Sequence, residues 1–143
     1  MAKTELSLVR SPSTLVDACV LLDLTTDHPK WADWSARALA QAADEGPLIM
    51  NPIVYAEVSA DFSSIEDLDD VLSGADLRRE PLPFEAGFLA GKAYVAYKRR
   101  GGTRRSPIAD FYIGAHAAVR GHRLLTRDSR YNTYFPTIQL IVP

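Results

Sequence analysis

Four acidic residues of this chain, Asp17, Glu57, Asp110 and Asp128, each lie in a short stretch of otherwise apolar sequence. Carboxylates are rarely buried unless they are paired or bind a metal. Two of them about 4 Å apart repel each other by ~4 kcal/mol at an effective dielectric near 20, so a cluster needs a cation or protons. A divalent ion would relieve this repulsion, act as a Lewis acid towards a phosphate and activate water at neutral pH.

The other potential metal ligands of the chain point to the same kind of ion. Cys19 is the single cysteine, which excludes a disulfide within the chain and a cysteine-based zinc site. His28, His116 and His122 show no ligand spacing, and we expect structural roles for them. The remaining ligands are oxygens, which favours Mg²⁺, with Mn²⁺ as the alternative.

Strand and helix signals alternate along the chain and would bring the four acids together. Asp17 and Asp128 each follow a short apolar strand, at about 15–16 and 123–126. Glu57 and Asp110 lie in the first two turns of helices that begin with a cap residue and a proline. This alternation predicts a single α/β domain with a mainly parallel sheet, whose ligands bind beyond the carboxyl ends of the strands.

Length and composition are those of one globular domain, since the chain has 143 residues and a net charge of −2. We expect a short irregular lead-in over 1–13 and one domain over 14–143. No apolar run approaches the ~20 residues that span a bilayer, and the first residues lack a signal-peptide core. The sequence therefore predicts a cytoplasmic protein that contacts no membrane.

The remaining elements are predicted from caps and apolar spacing. A helix should follow Asp27, run from about 29 to 44 and carry Trp31 and Trp34 on one stripe, as core residues or as a surface for a partner. Another helix should begin after Pro83, with its large apolar side chains, Phe88, Leu89 and Val95 among them, facing inward. Short strands are expected at about 77–82 and 138–142.

Each of the four acids also has a structural interpretation when it is taken alone. Asp17 could cap a helix, Glu57 could be a solvated helix residue, Asp110 could complement a helix dipole and Asp128 could order a turn. The joint pattern favours a shared site, because independent caps would not gather four carboxylates at one edge of the sheet.

Four blocks of the sequence, taken in order, resemble PIN-domain ribonucleases, and within them VapC-type toxins of type II toxin–antitoxin systems. The blocks are Leu-Val-Asp-Ala-Cys-Val-Leu-Leu-Asp at 15–23, Asn-Pro-Ile-Val-Tyr-Ala-Glu-Val at 51–58, the segment 106–117 and Leu-Leu-Thr-Arg-Asp at 124–128. The resemblance implies a parallel sheet flanked by helices on both faces and a Mg²⁺-dependent acidic site. It also implies RNA cleavage that leaves a 5′-phosphate and a 3′-hydroxyl, a cognate antitoxin as partner, and a homodimer.

The same resemblance implies a role for each acid. Asp17 and Asp110 would bind the metal directly, whereas Glu57 and Asp128 would complete the catalytic site directly or through water. Thr126 would orient the Asp128 carboxylate or bind a phosphate of the RNA.

Cys19 departs from the family pattern, which usually has Ser, Thr or Asn two residues after the first Asp. A thiol is a weaker hydrogen-bond partner than a hydroxyl or amide, and we expect Cys19 to be a small buried residue. The departure leaves open a catalytically weak PIN domain that acts mainly as a binding subunit of an antitoxin–DNA regulatory complex. It disfavours phosphotransfer enzymes of the haloacid-dehalogenase type, which need a second Asp at this position.

Basic residues lie beside two of the acids in the sequence. Arg104 and Arg105 precede the helix that carries Asp110, and Arg127 precedes Asp128. All three arginines could bind RNA phosphates, or the first two could simply be solvated charges at a helix end. The net charge of −2 excludes a strongly basic nucleic-acid binder but not a local basic rim.

Overall fold

A computed structural model describes residues 11–105 and 108–143 and contains one five-stranded sheet in the order β3-β2-β1-β4-β5. Every neighbouring pair of strands is parallel. The strands are β1 (Thr14–Val16), β2 (Leu48–Met50), β3 (Leu77–Arg79), β4 (Arg123–Leu125) and β5 (Leu140–Ile141). The predicted α/β class with a parallel central sheet is confirmed.

Six α-helices flank this sheet within the described residues. They are α1 (Ala18–Thr25), α2 (Ala32–Glu45), α3 (Pro52–Ser59), α4 (Ile65–Leu72), α5 (Phe84–Arg99) and α6 (Ala109–Arg120). Two 3₁₀ turns, Ser73–Ala75 and Ser129–Thr133, follow α4 and β4. The chain moves across the sheet in one direction from β1 to β3 and in the other direction from β3 to β4. Because crossovers between parallel strands are right-handed, the helices of these two parts of the chain lie on opposite faces of the sheet.

The core lies around the two central strands. Leu15 and Val16 of β1 and Leu124 and Leu125 of β4 are all fully buried, as is Ile113 of α6. Strands of a parallel sheet that is covered on both faces are expected to be continuously apolar in this way. Each such side chain contributes about 1.5–3 kcal/mol to stability through its burial. The two central strands therefore hold the residues at their carboxyl ends in fixed positions.

The direction of the chain reverses between β1 and β4, which makes this pair the topological switch point of the sheet. The carboxyl ends of these strands lead directly into Asp17 and Thr126. The Asp17 amide still donates to the Leu125 carbonyl at 2.9 Å, so the first residue after β1 remains tied to β4. Ligands of open α/β sheets bind at such a point.

The start of α2 differs from the sequence-based prediction. The helix begins at Ala32, and Asp27 has a left-handed φ of 50° instead of capping it. The His28 ring takes over part of that role, since its Nδ1 accepts from the Lys30 and Trp31 amides at 3.1 and 3.2 Å. The predicted cap at Asp27 was wrong because a nearby side chain competed for the same amides.

The inner face of α5 also differs from the prediction, which placed large apolar side chains there. Ala86, Ala90 and Ala93 are the buried residues of this helix, whereas Phe88 is 71% exposed and Val95 is 44% exposed. The α5 helix packs along α6, and small buried side chains such as these alanines allow two helices to approach closely. The inward orientation predicted for Phe88 and Val95 was therefore wrong.

The two edge strands of the sheet are shorter than expected, since β3 ends at Arg79 and β5 comprises only Leu140–Ile141. The predicted cap at Ser106-Pro107 and residues 1–10 of the predicted lead-in lie outside the described residues. Among the described helices, none is long and apolar enough to cross a membrane.

Candidate active site

Asp17 lies at the end of β1 and is both a helix cap and part of a polar cluster. Its Oδ1 accepts from the Ala18 amide at 2.8 Å, and its Oδ2 accepts from the Thr126 hydroxyl at 2.7 Å and the Tyr131 hydroxyl at 3.1 Å. Burial raises the pKa of Asp17, the Thr126 hydrogen bond opposes this increase, and the charge of Asp110 adds to it. Asp17 therefore caps α1 and also belongs to a buried cluster of hydrogen-bonded side chains.

The Tyr131 hydroxyl joins Asp17 to Asp110. It lies 3.1 Å from Asp17 Oδ2 and 3.1 Å from Asp110 Oδ1, but it has one proton to donate. Burial and the charges of Asp17 and Asp110 raise its pKa, so the phenol stays neutral. Tyr131 falls in a segment with no strand or helix pattern, and the sequence offered no signal for this role.

Glu57 approaches the same two aspartates from α3. The Asn51 side chain caps this helix, since its Oδ1 accepts from the Val54 amide at 2.9 Å. Partial burial, followed by the charges of Asp17 and Asp110, raises the pKa of Glu57 to about 7. The structure thus brings together three of the four predicted acids, although Glu57 remains open to solvent on one side.

Asp128 has a different environment from the other three acids. Its carboxylate forms a two-pronged ion pair with Arg130, with Nε–Oδ1 and Nη2–Oδ2 distances of 2.9 Å. The hydrogen bond from the Arg130 side chain lowers the pKa of Asp128 despite partial burial. Asp128 borders the same cavity as Asp110 and Tyr131.

Thr126 orients Asp17 rather than the carboxylate of Asp128. Its fully buried hydroxyl donates to Asp17 and accepts from the Asp128 amide at 3.0 Å. The Cys19 sulfur lies 3.8 Å from the same hydroxyl, and burial raises the thiol pKa to about 11. The hydroxyl has no free direction for an RNA phosphate, and the thiol stays neutral.

Arg127 forms its ion pair with Asp23 and not with one of the four predicted acids. Its Nε and Nη2 bind the two oxygens of Asp23 at 2.8 and 3.0 Å, and Asp23 is only 2% exposed. The Ser35 hydroxyl donates to the same carboxylate at 2.7 Å, and the guanidinium stacks over the Trp31 ring. In contrast, Arg104 and Arg105 are exposed.

A cavity of about 290 Å³ opens beside the acidic cluster. Asp110, Asp128 and Arg130 contribute its polar wall, and aromatic side chains that include Tyr97 and Tyr134 contribute the rest. Arg100 lies over the Tyr134 ring with its guanidinium 5.4 Å from the ring centroid. The cavity combines acids, aromatic faces and arginines at the carboxyl edge of the sheet.

The donor set of the cluster fits a hard divalent cation. Asp17, Glu57 and Asp110 offer carboxylate oxygens, and burial together with their mutual repulsion raises the pKa of Asp17 and of Glu57. In the described part of the chain, three potential ligands within 4.8 Å of one another occur at Glu80, His116 and His122, not in the acidic quartet. The wider spacing of the acids suits Mg²⁺, which keeps several waters and takes few protein ligands.

Comparison with known proteins agrees with this fold. A model of the PIN-domain family matches residues 14–134, and the chain belongs to that family. No curated protein matches the chain in sequence.

Several solved toxin–antitoxin complexes share the fold at low sequence identity. The VapBC2 complex of Rickettsia felis bound to promoter DNA gives a TM-score of 0.70 at 16% identity, covering 92% of this chain and 98% of that one. VapBC-1 from nontypeable Haemophilus influenzae gives 0.68 at 16% identity, with coverages of 91% and 97%. DNA-bound VapBC from Salmonella typhimurium gives 0.64 at 18% identity, with coverages of 92% and 98%.

Proposed function

We propose that this PIN-domain protein is a Mg²⁺-dependent endoribonuclease that hydrolyses RNA phosphodiester bonds as the toxin of a toxin–antitoxin pair. The observation that carries the proposal is the convergence of Asp17, Glu57 and Asp110 beside an open cavity with aromatic walls. Acids that raise one another's pKa need a cation to remain ionised, and the cavity gives a polymer access to it.

The residues divide the chemistry between them. Bound Mg²⁺, or Mn²⁺, would supply Lewis acidity at the phosphate and lower the pKa of the attacking water. Asp17 and Asp110 would hold the ion, and the hydroxyls of Tyr131 and Thr126 fix the positions of their oxygens. Glu57, whose pKa is raised to about 7 in the metal-free site, would accept a proton from the attacking water, and the 3′-oxygen that leaves phosphorus would take a proton from solvent to give the 3′-hydroxyl.

RNA binding is assigned to the cavity and to two exposed arginines that precede α6 in the chain. Tyr134 presents an aromatic face on which an unpaired base can stack, and Arg104 and Arg105 are available for backbone phosphates. Arg127 and Thr126, which the sequence also suggested for RNA contact, are occupied by Asp23 and Asp17. We assign them instead to holding the site together.

The proposed protein partners are a cognate antitoxin and a second copy of the chain. Support comes from the toxin–antitoxin complexes that share the fold. The exposed aromatic side chains of α5, Phe84 at 97% and Phe88 at 71%, agree with a face that a protein covers. Cross-linking and mass measurement of the protein with and without a co-expressed antitoxin would test both partners.

Cleavage of RNA by purified protein tests the proposed activity. Wild type should cut RNA with Mg²⁺ and not with excess EDTA, and the products should have 5′-phosphate and 3′-hydroxyl ends. Asp17→Asn and Asp110→Asn should each lower the rate at least ~100-fold, because each removes a charge from the metal site. Asp33→Asn, an exposed acid on α2, is the matched control and should cleave like wild type.

Two results would contradict this function. Equal cleavage in EDTA, or full activity of both site variants, would exclude the metal-dependent mechanism. A wild-type protein that binds its antitoxin and regulatory DNA but does not cut RNA would support the binding-subunit function instead.

A further inference from the structure

A second cluster of polar side chains, most of them buried, includes a histidine of α6. It joins Asn51, Glu80, His116 and His122, of which Asn51 is 2% exposed, His116 0% and His122 8%. Glu80 Oε1 lies 2.7 Å from His116 Nε2 and 2.8 Å from His122 Nε2. The Asn51 Nδ2 lies 3.0 Å from His116 Nδ1, which completes a chain of hydrogen bonds.

The partners of His116 determine where its proton resides. Asn51 uses its oxygen to cap α3, so the group that faces His116 Nδ1 is its NH₂, which can only donate. The His116 Nδ1 must therefore be the acceptor, and Nε2 carries the proton that is donated to Glu80. Burial lowers the pKa of His116, which agrees with a neutral ring.

This protonation state is unsuited to a metal ion between Glu80, His116 and His122, although their ligand atoms lie close together. A metal would need the Nε2 lone pairs of both rings, and both Nε2 atoms face the same carboxylate oxygen. Hydrogen bonds from His122 and His116 lower the pKa of Glu80 despite its partial burial, so it is an ionised acceptor to which both rings donate. The distances of 2.7 and 2.8 Å are those of hydrogen bonds.

The chain of hydrogen bonds connects the two helices that supply acids to the site. Asn51 fixes the first turn of α3, which carries Glu57, and His116 lies on α6, which carries Asp110. The two helices also pack against each other. Glu80 anchors the chain to the sheet, because its amide donates to the Met50 carbonyl of β2 at 2.9 Å.

We propose that His116 is a positioning residue that holds α3 against α6 through Asn51 and so fixes Glu57 relative to Asp110 and Asp17. The inference rests on the proposed nuclease function. His116 does not touch the substrate or the metal. It acts through the Asn51 side chain, whose oxygen accepts from the Val54 amide of α3 and whose NH₂ donates to the His116 ring.

Three substitutions separate the links of this chain. Asn51→Ser keeps a good helix cap but removes the donor to His116. His116→Asn places an acceptor near the position of Nδ1 and keeps the link to Asn51, whereas His116→Gln places a donor near Nε2 and keeps only the link to Glu80. Both His116 variants replace the ring with an amide side chain. Each is therefore the control for the loss of the ring itself in the other.

The readouts are Mn²⁺ affinity by calorimetry, kcat and KM for RNA cleavage, and hydrogen exchange of the α3 amides. We expect Asn51→Ser and His116→Gln to weaken Mn²⁺ binding about 10–100-fold and to lower kcat more than they change KM. His116→Asn should retain most of the affinity, and its α3 amides should exchange more slowly than those of His116→Gln.

Other outcomes would overturn the positioning role. Equal Mn²⁺ affinities for Asn51→Ser and wild type, or equal losses in the two His116 variants, would show that the ring only fills space. A shift of the ¹⁵N signals of both rings on adding one equivalent of Zn²⁺ would show a metal site instead. A wild type that neither binds Mn²⁺ nor cuts RNA would contradict the proposed function, and hydrogen exchange in α3 would still decide the role of His116.

Discussion

At the scale of single residues, the acidic site depends on one hydroxyl that the sequence did not reveal. That Asp17, Glu57 and Asp110 lie near one another could be predicted, because carboxylates within apolar sequence are rarely isolated. Tyr131 could not, since a tyrosine in an irregular segment has no periodicity or motif to mark it. Its position between Asp17 and Asp110 follows only from how the turn after β4 packs.

Removing the Tyr131 hydroxyl should destabilise the metal-free protein more than the metal-bound one. Tyr131→Phe leaves Asp17 and Asp110 without their shared donor, which should cost about 1–3 kcal/mol in the free energy of unfolding. Added Mg²⁺ should reduce this loss, because the cation would stabilise both carboxylates when the hydrogen bond from the neutral phenol is absent. Urea unfolding with and without Mg²⁺ measures both values.

Tyr134→Phe is the matched control, because within the described residues its hydroxyl makes no hydrogen bond while its ring borders the same cavity. It should unfold within ~0.5 kcal/mol of wild type. A Tyr131→Phe loss that Mg²⁺ leaves unchanged would show that the hydroxyl does not lie at the metal site.

At the scale of elements, Arg127 ties the segment after β4 to α1 and α2. Its guanidinium pairs with Asp23 of α1, which also accepts from Ser35 of α2. Arg127→Ala would leave a buried carboxylate without its cation and should cost about 3–5 kcal/mol of stability, or less where water reaches it. Thermal or urea unfolding of the variant measures this cost.

Arg105→Ala is the comparison for Arg127→Ala, because Arg105 is proposed to bind RNA and not to stabilise the fold. This exposed residue should contribute within ~0.5 kcal/mol to stability, but its loss should reduce the salt dependence of RNA binding. If Arg127→Ala instead kept full stability and lost only RNA affinity, its assignment to the fold would be wrong.

A glycine in α6 makes room for the turn that carries Tyr131. A Cβ on Gly114 would lie 2.5 Å from the Phe135 ring and 3.1 Å from a Tyr131 ring carbon. Gly114→Ala should therefore lose about 1–3 kcal/mol through overpacking and should weaken Mn²⁺ binding by displacing Tyr131. Calorimetry and urea unfolding would measure the two effects on one preparation.

Gly91→Ala in α5 supplies the comparison, because nothing lies within 4 Å of a Cβ there. It should gain about 0.5–1 kcal/mol from the higher helix propensity of alanine. Equal stability changes in the two variants would mean that the Gly114 position can relax, and that the turn does not depend on it.

At the scale of the whole molecule, the sequence predicted the parallel sheet and the gathering of the acids better than it predicted which faces are covered. Strand order follows from apolar runs separated by helices, so Asp17 and Thr126 fall together at the β1–β4 switch point. Which residues of α5 are buried depends on how closely a neighbouring helix packs against it. The sequence alone therefore does not reveal that Ala90 is buried and Phe88 exposed. Arg127 shows the same limit, since its partner Asp23 is remote in sequence.

The stability of the whole fold should depend on pH through the unpaired charges of the metal-free site. Glu57 has a folded pKa of about 7, above its usual value of 4.5, so between these values the folded state binds more protons than the unfolded state. Stability of the metal-free protein should thus fall as pH rises through this window, and Asp17, whose pKa is also raised, acts in the same direction. Mg²⁺ binds the ionised acids, so the rise in Tm that it causes should be larger near pH ~8 than near pH ~6. Glu57→Gln should flatten the pH dependence of the metal-free Tm and reduce the Mg²⁺ effect, whereas Glu66→Gln, an exposed position on α4, should change neither. A Mg²⁺-induced shift that is the same at both pH values, or that survives intact in Glu57→Gln, would mean that Glu57 does not take part in the metal site.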